Sequence, residues 1–143
     1  LAMSYREKRA WIALLSYCAV FGGYFFFLWQ AWSLDEAFGR ELVIPLLAGA
    51  VVALVIAAVV LNVALALFSP KEATAPTDER ETMIDLKAER IASYTLSTGV
   101  VCLVGALLMG VNGMAVAVFL LAGLVISELV KSAAQIAYFR RGA

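Results

Sequence analysis

Hydrophobic and polar positions divide the chain into four long apolar runs separated by short polar stretches. The runs extend over about residues 10–32, 42–68, 91–109 and 114–138. A helix rises about 1.5 Å per residue and the hydrocarbon core of a bilayer is about 30 Å thick, so about twenty residues cross it. All four runs are long enough. They are continuous rather than alternating, which excludes a β-barrel, and an open chain in lipid satisfies its backbone only as helix. The pattern predicts an all-α, single-domain, integral membrane four-helix bundle.

The breaks between runs carry their own signals. Gly110-Val111-Asn112-Gly113 reads as a tight turn, because glycine and asparagine tolerate left-handed backbone, so the third and fourth helices form an antiparallel hairpin. Ser69-Pro70 ends the second helix, and the following residues to Pro76 read as a Pro/Ala linker. Asp78 with Glu81 fits a capping box, so the third helix is predicted to begin near Asp78 and project two to three turns beyond the bilayer. Ile84, Ala88 and Ile91 share one face of that projection. Pro45 is expected in the first turn of the second helix, where its missing N–H does little harm. Small residues four apart (Ala19 and Gly23; Gly49, Ala53 and Ala57; Ala106 and Gly110) predict faces where helix backbones approach closely. Trp29 and Trp32 suit one membrane interface, and Tyr5, Trp11 and Tyr138 the other.

Composition narrows the class further. Hydrophobic residues make up 64% of the chain and charged residues 15%, against about 45–50% and about 25% in soluble domains. Mean hydropathy is +0.92. Eleven basic residues balance eleven acidic ones, which leaves no basic footprint for nucleic acid. There is no histidine, and Cys18 and Cys102 fall in apolar runs, where they read as small buried hydrophobes. No metal site or other cofactor is predicted. Leu1 and Ala2 precede Met3 and read as a cloning remnant. The apolar run behind Tyr5-Arg6-Glu7-Lys8-Arg9 is too long for the core of a cleavable leader and is expected to stay attached.

Charge also predicts orientation. Arg6, Lys8, Arg9, Lys71, Arg80, Lys87, Arg90, Lys131, Arg140 and Arg141 fall on one side of the four spans. The other side has Arg40 alone, among Asp35, Glu36 and Glu41. Basic residues stay in the cytoplasm, so both termini and the extended third helix are predicted there.

Two groups of residues are candidates for function. The first is the cluster Asp78, Glu79, Arg80, Asp85, Lys87 and Arg90 at the start of the third helix. None of its charges has an opposite charge three or four positions away, and Glu81, Asp85 and Glu89 form a like-charge series. Partners must come from elsewhere: the Arg6–Arg9 arm, the Arg140-Arg141 tail, lipid phosphate, a second copy or a soluble protein. The second group lies in the spans. Glu128 and Lys131 are three apart and are expected to pair with each other, with Gln135 following. Asn62, Glu128, Tyr94 and its neighbours Ser93, Thr95, Ser97 and Thr98 could line a polar pocket or make interhelical hydrogen bonds. No nucleophile–base pair accompanies either group, so an enzyme is not expected.

Asp78-Glu79-Arg80, Ile84, Lys87-Ala88 and Arg90-Ile91-Ala92, with Glu128, Lys131, Gln135-Ile136, Tyr138 and Arg140-Arg141-Gly142, resemble a family of small bacterial four-helix membrane proteins of unassigned activity. The resemblance covers mainly the second half of the chain. It implies the same topology and a bacterial inner-membrane location. The combined expectation is a non-enzymatic protein embedded in the lipid bilayer. Its charged cytoplasmic face would bind a cytoplasmic protein or form a homo-oligomer. The alternative is a small transporter subunit that uses Glu128 as a proton- or cation-coupling carboxylate. That reading is similar to the small multidrug exporters, but those carry their carboxylate in the first helix.

Overall fold

The computed structural model describes residues 3–33 and 40–141. Asp35 and Glu36, and the side chains of Trp32 and Arg40, lie outside the described residues. Five helices follow one another: α1 (Tyr5–Ser33), α2 (Arg40–Phe68), α3 (Pro70–Ala73), α4 (Glu79–Leu108) and α5 (Gly113–Arg141). No strand occurs among the described residues. α1, α2, α4 and α5 are each long and apolar enough to cross a membrane. At 29 or 30 residues each measures about 45 Å, well beyond the roughly 30 Å apolar core of a bilayer.

Local chemistry sets the helix ends. Asp78 is the N-cap of α4, with extended backbone at φ −75° and ψ 150°. Its N–H donates to Glu81 Oε2 at 3.4 Å, and the Thr82 hydroxyl donates to its carbonyl at 3.2 Å. α4 closes at Gly110, whose φ of +88° is the left-handed conformation that glycine adopts without steric cost. The Val111 N–H then reaches back to the Ala106 carbonyl at 3.1 Å. Asn112 Oδ1 accepts from the Met114 N–H at 2.9 Å and opens α5. The segment read as a plain linker after Ser69 contains the one-turn helix α3, because Pro70 is preset for the first helical position and Ala73 N–H bonds Ser69 O at 3.0 Å. Pro45 lies deeper than predicted. α2 starts at Arg40, so Pro45 is its sixth residue and the Glu41 carbonyl lacks its helical donor.

α4 packs most extensively on α5, α5 on α1 and α1 on α2, whereas α2 and α4 do not pack closely on each other. One cluster of buried residues joins Phe21, Tyr24 and Leu28 of α1 to Val43 and Ala50 of α2 and Val125 of α5. A second buried stripe, Ile84, Ala88 and Ala92, runs along the start of α4. Its spacing is four throughout, so Ala92 is buried where Ile91 had been expected, and Ile91 is exposed. The small-residue stripes do not mark tight helix contacts within the chain. A methyl group added at Gly23 or Gly49 would meet nothing within 4 Å, and Ala19 and Ala53 are exposed. Both cysteines are free and exposed rather than buried, since each sits on an outward side of its apolar helix.

Candidate functional site

At the end of the molecule that carries both termini, the like-charge series of α4 is resolved by residues far away in sequence. Glu81 and Asp85 are a helical turn apart and face α1, and Arg6 bridges them. Its Nε lies 3.1 Å from Glu81 Oε2 and its Nη1 2.8 Å from Asp85 Oδ2. The remaining guanidinium nitrogen, Nη2, donates to Thr77 Oγ1 at 2.6 Å. The other Asp85 oxygen accepts from Gln135 Nε2 of α5 at 3.0 Å. One carboxylate is thus held from two helices. Glu89, the next turn along, pairs with Lys131 of α5.

The tail is tied down in the same way. Arg140 Nε donates to Glu7 Oε1 at 3.1 Å, and its guanidinium stacks 5.6 Å from the Trp11 ring centre. Glu7 is buried, and this contact supplies its carboxylate with a charged hydrogen-bond partner. Lys8 lies 4.0 Å from Glu72 of α3. Lys87 sits 5.7 Å from the ring centre of Tyr138. Together these contacts join α1, α3, α4 and α5 into one polar clasp.

Several sequence expectations change against this geometry. The ion pair predicted between Glu128 and Lys131 does not form, because Lys131 faces α4 and takes Glu89 instead. Glu128 is half-buried and makes no described hydrogen bond or ion pair. The predicted pocket of Ser93, Tyr94, Thr95, Ser97, Thr98, Asn62 and Glu128 is also not assembled. Tyr94, Ser93, Ser97 and Thr98 are exposed. Thr95 and Thr98 donate to the carbonyls four residues back, at 3.0 and 2.9 Å, a local alternative open to any helical hydroxyl. The interhelical hydrogen bond in this region comes from Ser127, whose hydroxyl donates to Ala92 O at 3.2 Å.

Polar cavities lie nearer the termini; one that includes candidate residues is about 230 Å³ in volume, beside a second of about 330 Å³ between the start of α1 and α3. Asn62, Asp85 and Gln135 of the candidate residues line the first, together with Arg6 and Arg9 of α1. Asp78 is the cap of α4, while Glu79, Arg80, Lys87 and Arg90 are all exposed. Glu7, Arg6 and Arg9 were the residues that spacing alone undervalued. For Arg6 the visible signal was the unpaired charge of α4, which needed basic partners from another element; Glu7 and Arg9, which meet Arg140 and Asn62 instead, had no such signal. Among the described residues no group of three or more Cys, Asp or Glu could hold a metal ion. Comparison with family models, with curated proteins and with solved structures finds no match.

Proposed function

We propose that this chain is a non-enzymatic, multi-pass protein of a bacterial inner membrane. Both termini would lie in the cytoplasm, and the outward face of α4 would serve as the docking surface for a cytoplasmic protein. Orientation rests on the basic residues, ten of which gather at the clasped end. The resemblance of the second half to small bacterial membrane proteins supports the compartment.

The observation that carries the docking reading is the division of charge around α4. Three of its acids, Glu81, Asp85 and Glu89, are engaged by Arg6 and Lys131, and the fourth, Glu79, is exposed at its first turn. Arg80, Met83, Leu86, Lys87 and Arg90 are exposed and follow one another at helical spacing on the other side. Met83 and Leu86 are 54% and 59% exposed, which sets apolar side chains among cations that have no described carboxylate partner, Lys87 resting on the Tyr138 ring. Lipid headgroups cannot cover this whole face. Arg80 stands ten residues before Arg90, about 15 Å along the axis, whereas the headgroup layer is about 5–8 Å deep on each side. The chemistry fits an acidic partner segment with apolar side chains between its acids. A second copy has fewer acids to offer, because Glu7, Glu72, Glu81, Asp85 and Glu89 are already engaged within the chain and Glu79 is the exposed α4 acid without a described ion pair.

The test combines topology with cross-linking in native membranes. Reporter fusions at residue 112 should read periplasmic and those at Ala75 cytoplasmic; the reverse pattern removes the proposal. A photo-cross-linking residue at Leu86 should give an adduct that disappears in the Arg80→Glu, Arg90→Glu double variant. An adduct of twice the chain's own mass would favour the second copy. An adduct indifferent to the charge reversal would refute the docking face.

One observation favours the transporter reading: Glu128 has no described ion partner inside an apolar helix. It would require that Glu128→Gln abolish proton-driven flux in liposomes while the fold survives. Glu128 does not line the polar cavity, and so the docking reading is preferred.

A further inference from the structure

The cavity at the clasped end offers a different surface from the docking face, on the other side of α4. All four long helices contribute to it: Arg6, Arg9 and Ala13 from α1, Asn62 from α2, Asp85 from α4 and Gln135 from α5. The cavity is open rather than enclosed, and its α2–α4 flank is the side without close helix packing.

Its charges are unequally satisfied. Asp85 has both oxygens engaged, one by Arg6 and one by Gln135. Arg6 is shared between Asp85, Glu81 and Thr77. Arg9 differs. It is exposed, its only described polar contact is Nε to Asn62 Oδ1 at 3.3 Å, and none of the described carboxylates lies within ion-pair distance of it, although Glu72 and Glu81 line a neighbouring cavity with it. Asn62 is oriented for this role, since its Nδ2 donates to the Ala58 carbonyl at 2.7 Å and leaves Oδ1 toward Arg9. The guanidinium's terminal nitrogens keep their donors free beside Asp85, whose two oxygens are already hydrogen-bonded by Arg6 and Gln135 although Arg6 also serves Glu81. A planar fork of free N–H groups matches a phosphate oxygen pair better than a point cation would. Basic pockets between membrane helices on the cytoplasmic side bind anionic headgroups. The volume falls below the roughly 300–1,000 Å³ typical of drug-sized ligands and suits a headgroup-sized one.

We infer that this cavity binds a phosphate group, with Arg9 as its ligand and Asn62 as the residue that positions Arg9. The inference is independent of the docking face, which uses neither residue. The phosphate would belong either to an anionic lipid headgroup entering from the α2–α4 flank or to a free phosphate compound.

The full chain, purified in the phosphate-free detergent dodecyl maltoside, provides the test. Dihexanoyl phosphatidylglycerol and inorganic phosphate are titrated separately, with the melting temperature as readout. A saturable rise with the lipid alone assigns the site to headgroups. A rise with both assigns it to phosphate as such. No rise with either overturns the inference. Arg9→Gln should weaken the apparent affinity about tenfold or more, the loss expected for a charge-assisted hydrogen bond. Ala13→Leu fills the cavity while keeping every charge and should weaken it comparably. Arg90→Gln should leave it unchanged. Unaltered binding in Arg9→Gln refutes the assignment. Loss in Arg9→Gln with none in Ala13→Leu refutes the cavity, since Arg9 would then act from the surface.

Discussion

The clasped end and helix α2 are built on opposite principles. At the clasped end, long-range contacts are directional and specific to residue type: Arg6 to Glu81 and Asp85, Arg140 to Glu7, Lys131 to Glu89. The most apolar stretch of α2 has no buried residue at all, and Val55, Ile56, Val59 and Val60 are each more than half exposed. In lipid such a surface has no hydrophobic drive toward other helices, because acyl chains are as apolar as valine. The difference teaches where the specificity of this small membrane protein resides. An apolar cluster joins α1, α2 and α5, and the charged end adds the residue-specific ties that bring α1 and α5 to the start of α4.

The largest expected effect sharpens that contrast. Ile84 is 1% exposed at the start of α4, in the part proposed to stand in water. Ile84→Ala should lower unfolding stability in detergent by about 3 kcal/mol, through lost burial and a cavity. Val59→Ala on α2 removes one carbon fewer and should change it by less than about 0.5 kcal/mol, far below what that difference in size explains. Denaturant titration of the two variants side by side checks both. Equal losses would mean that α2 is packed against something other than lipid or detergent.

The charges give a smaller and equally specific difference. Glu89→Gln takes the counter-charge from Lys131 and should cost about 1 kcal/mol, since the pair is partly exposed. Glu128→Gln should fall within about 0.5 kcal/mol of the parent, because Glu128 makes no described ion pair. The reverse order would restore the pairing of Glu128 with Lys131 that the three-residue spacing suggests. Smallest of the expected losses is that of the Ser127 hydroxyl on Ala92 O. Ser127→Ala should cost about 0.6 kcal/mol, the average for hydrogen bonds between membrane helices.

These contrasts also mark what could be read in the sequence. The four apolar helices were legible because a span must be long and continuously apolar, a demand no tertiary contact can relax. The cap at Asp78 and the left-handed Gly110 were legible because each rests on a few neighbouring residues. The like-charge series Glu81, Asp85 and Glu89 announced that partners were missing, but spacing along one helix could not say which element supplied them. Lys131 illustrates the limit: an acidic neighbour three residues away on α5 was a plausible partner, yet the side chain faces α4. The small-residue stripes failed for a related reason. A glycine permits close approach without requiring it, and at Gly23 and Gly49 no helix of the same chain takes the space. Pro45 and α3 show that helix ends depend on a few backbone hydrogen bonds whose balance the residue pattern does not resolve.

The claim that distant charges hold this end together is tested most directly by a double-mutant cycle at Arg6 and Asp85. Stability is measured for the parent chain, Arg6→Gln, Asp85→Asn and the double variant in the same detergent. The 2.8 Å contact predicts that each single change costs about 1–2 kcal/mol and that the double change costs less than their sum by about 1 kcal/mol. Costs that add to within about 0.3 kcal/mol would mean that the two side chains act independently, and the clasp would then not be what joins α1 to α4.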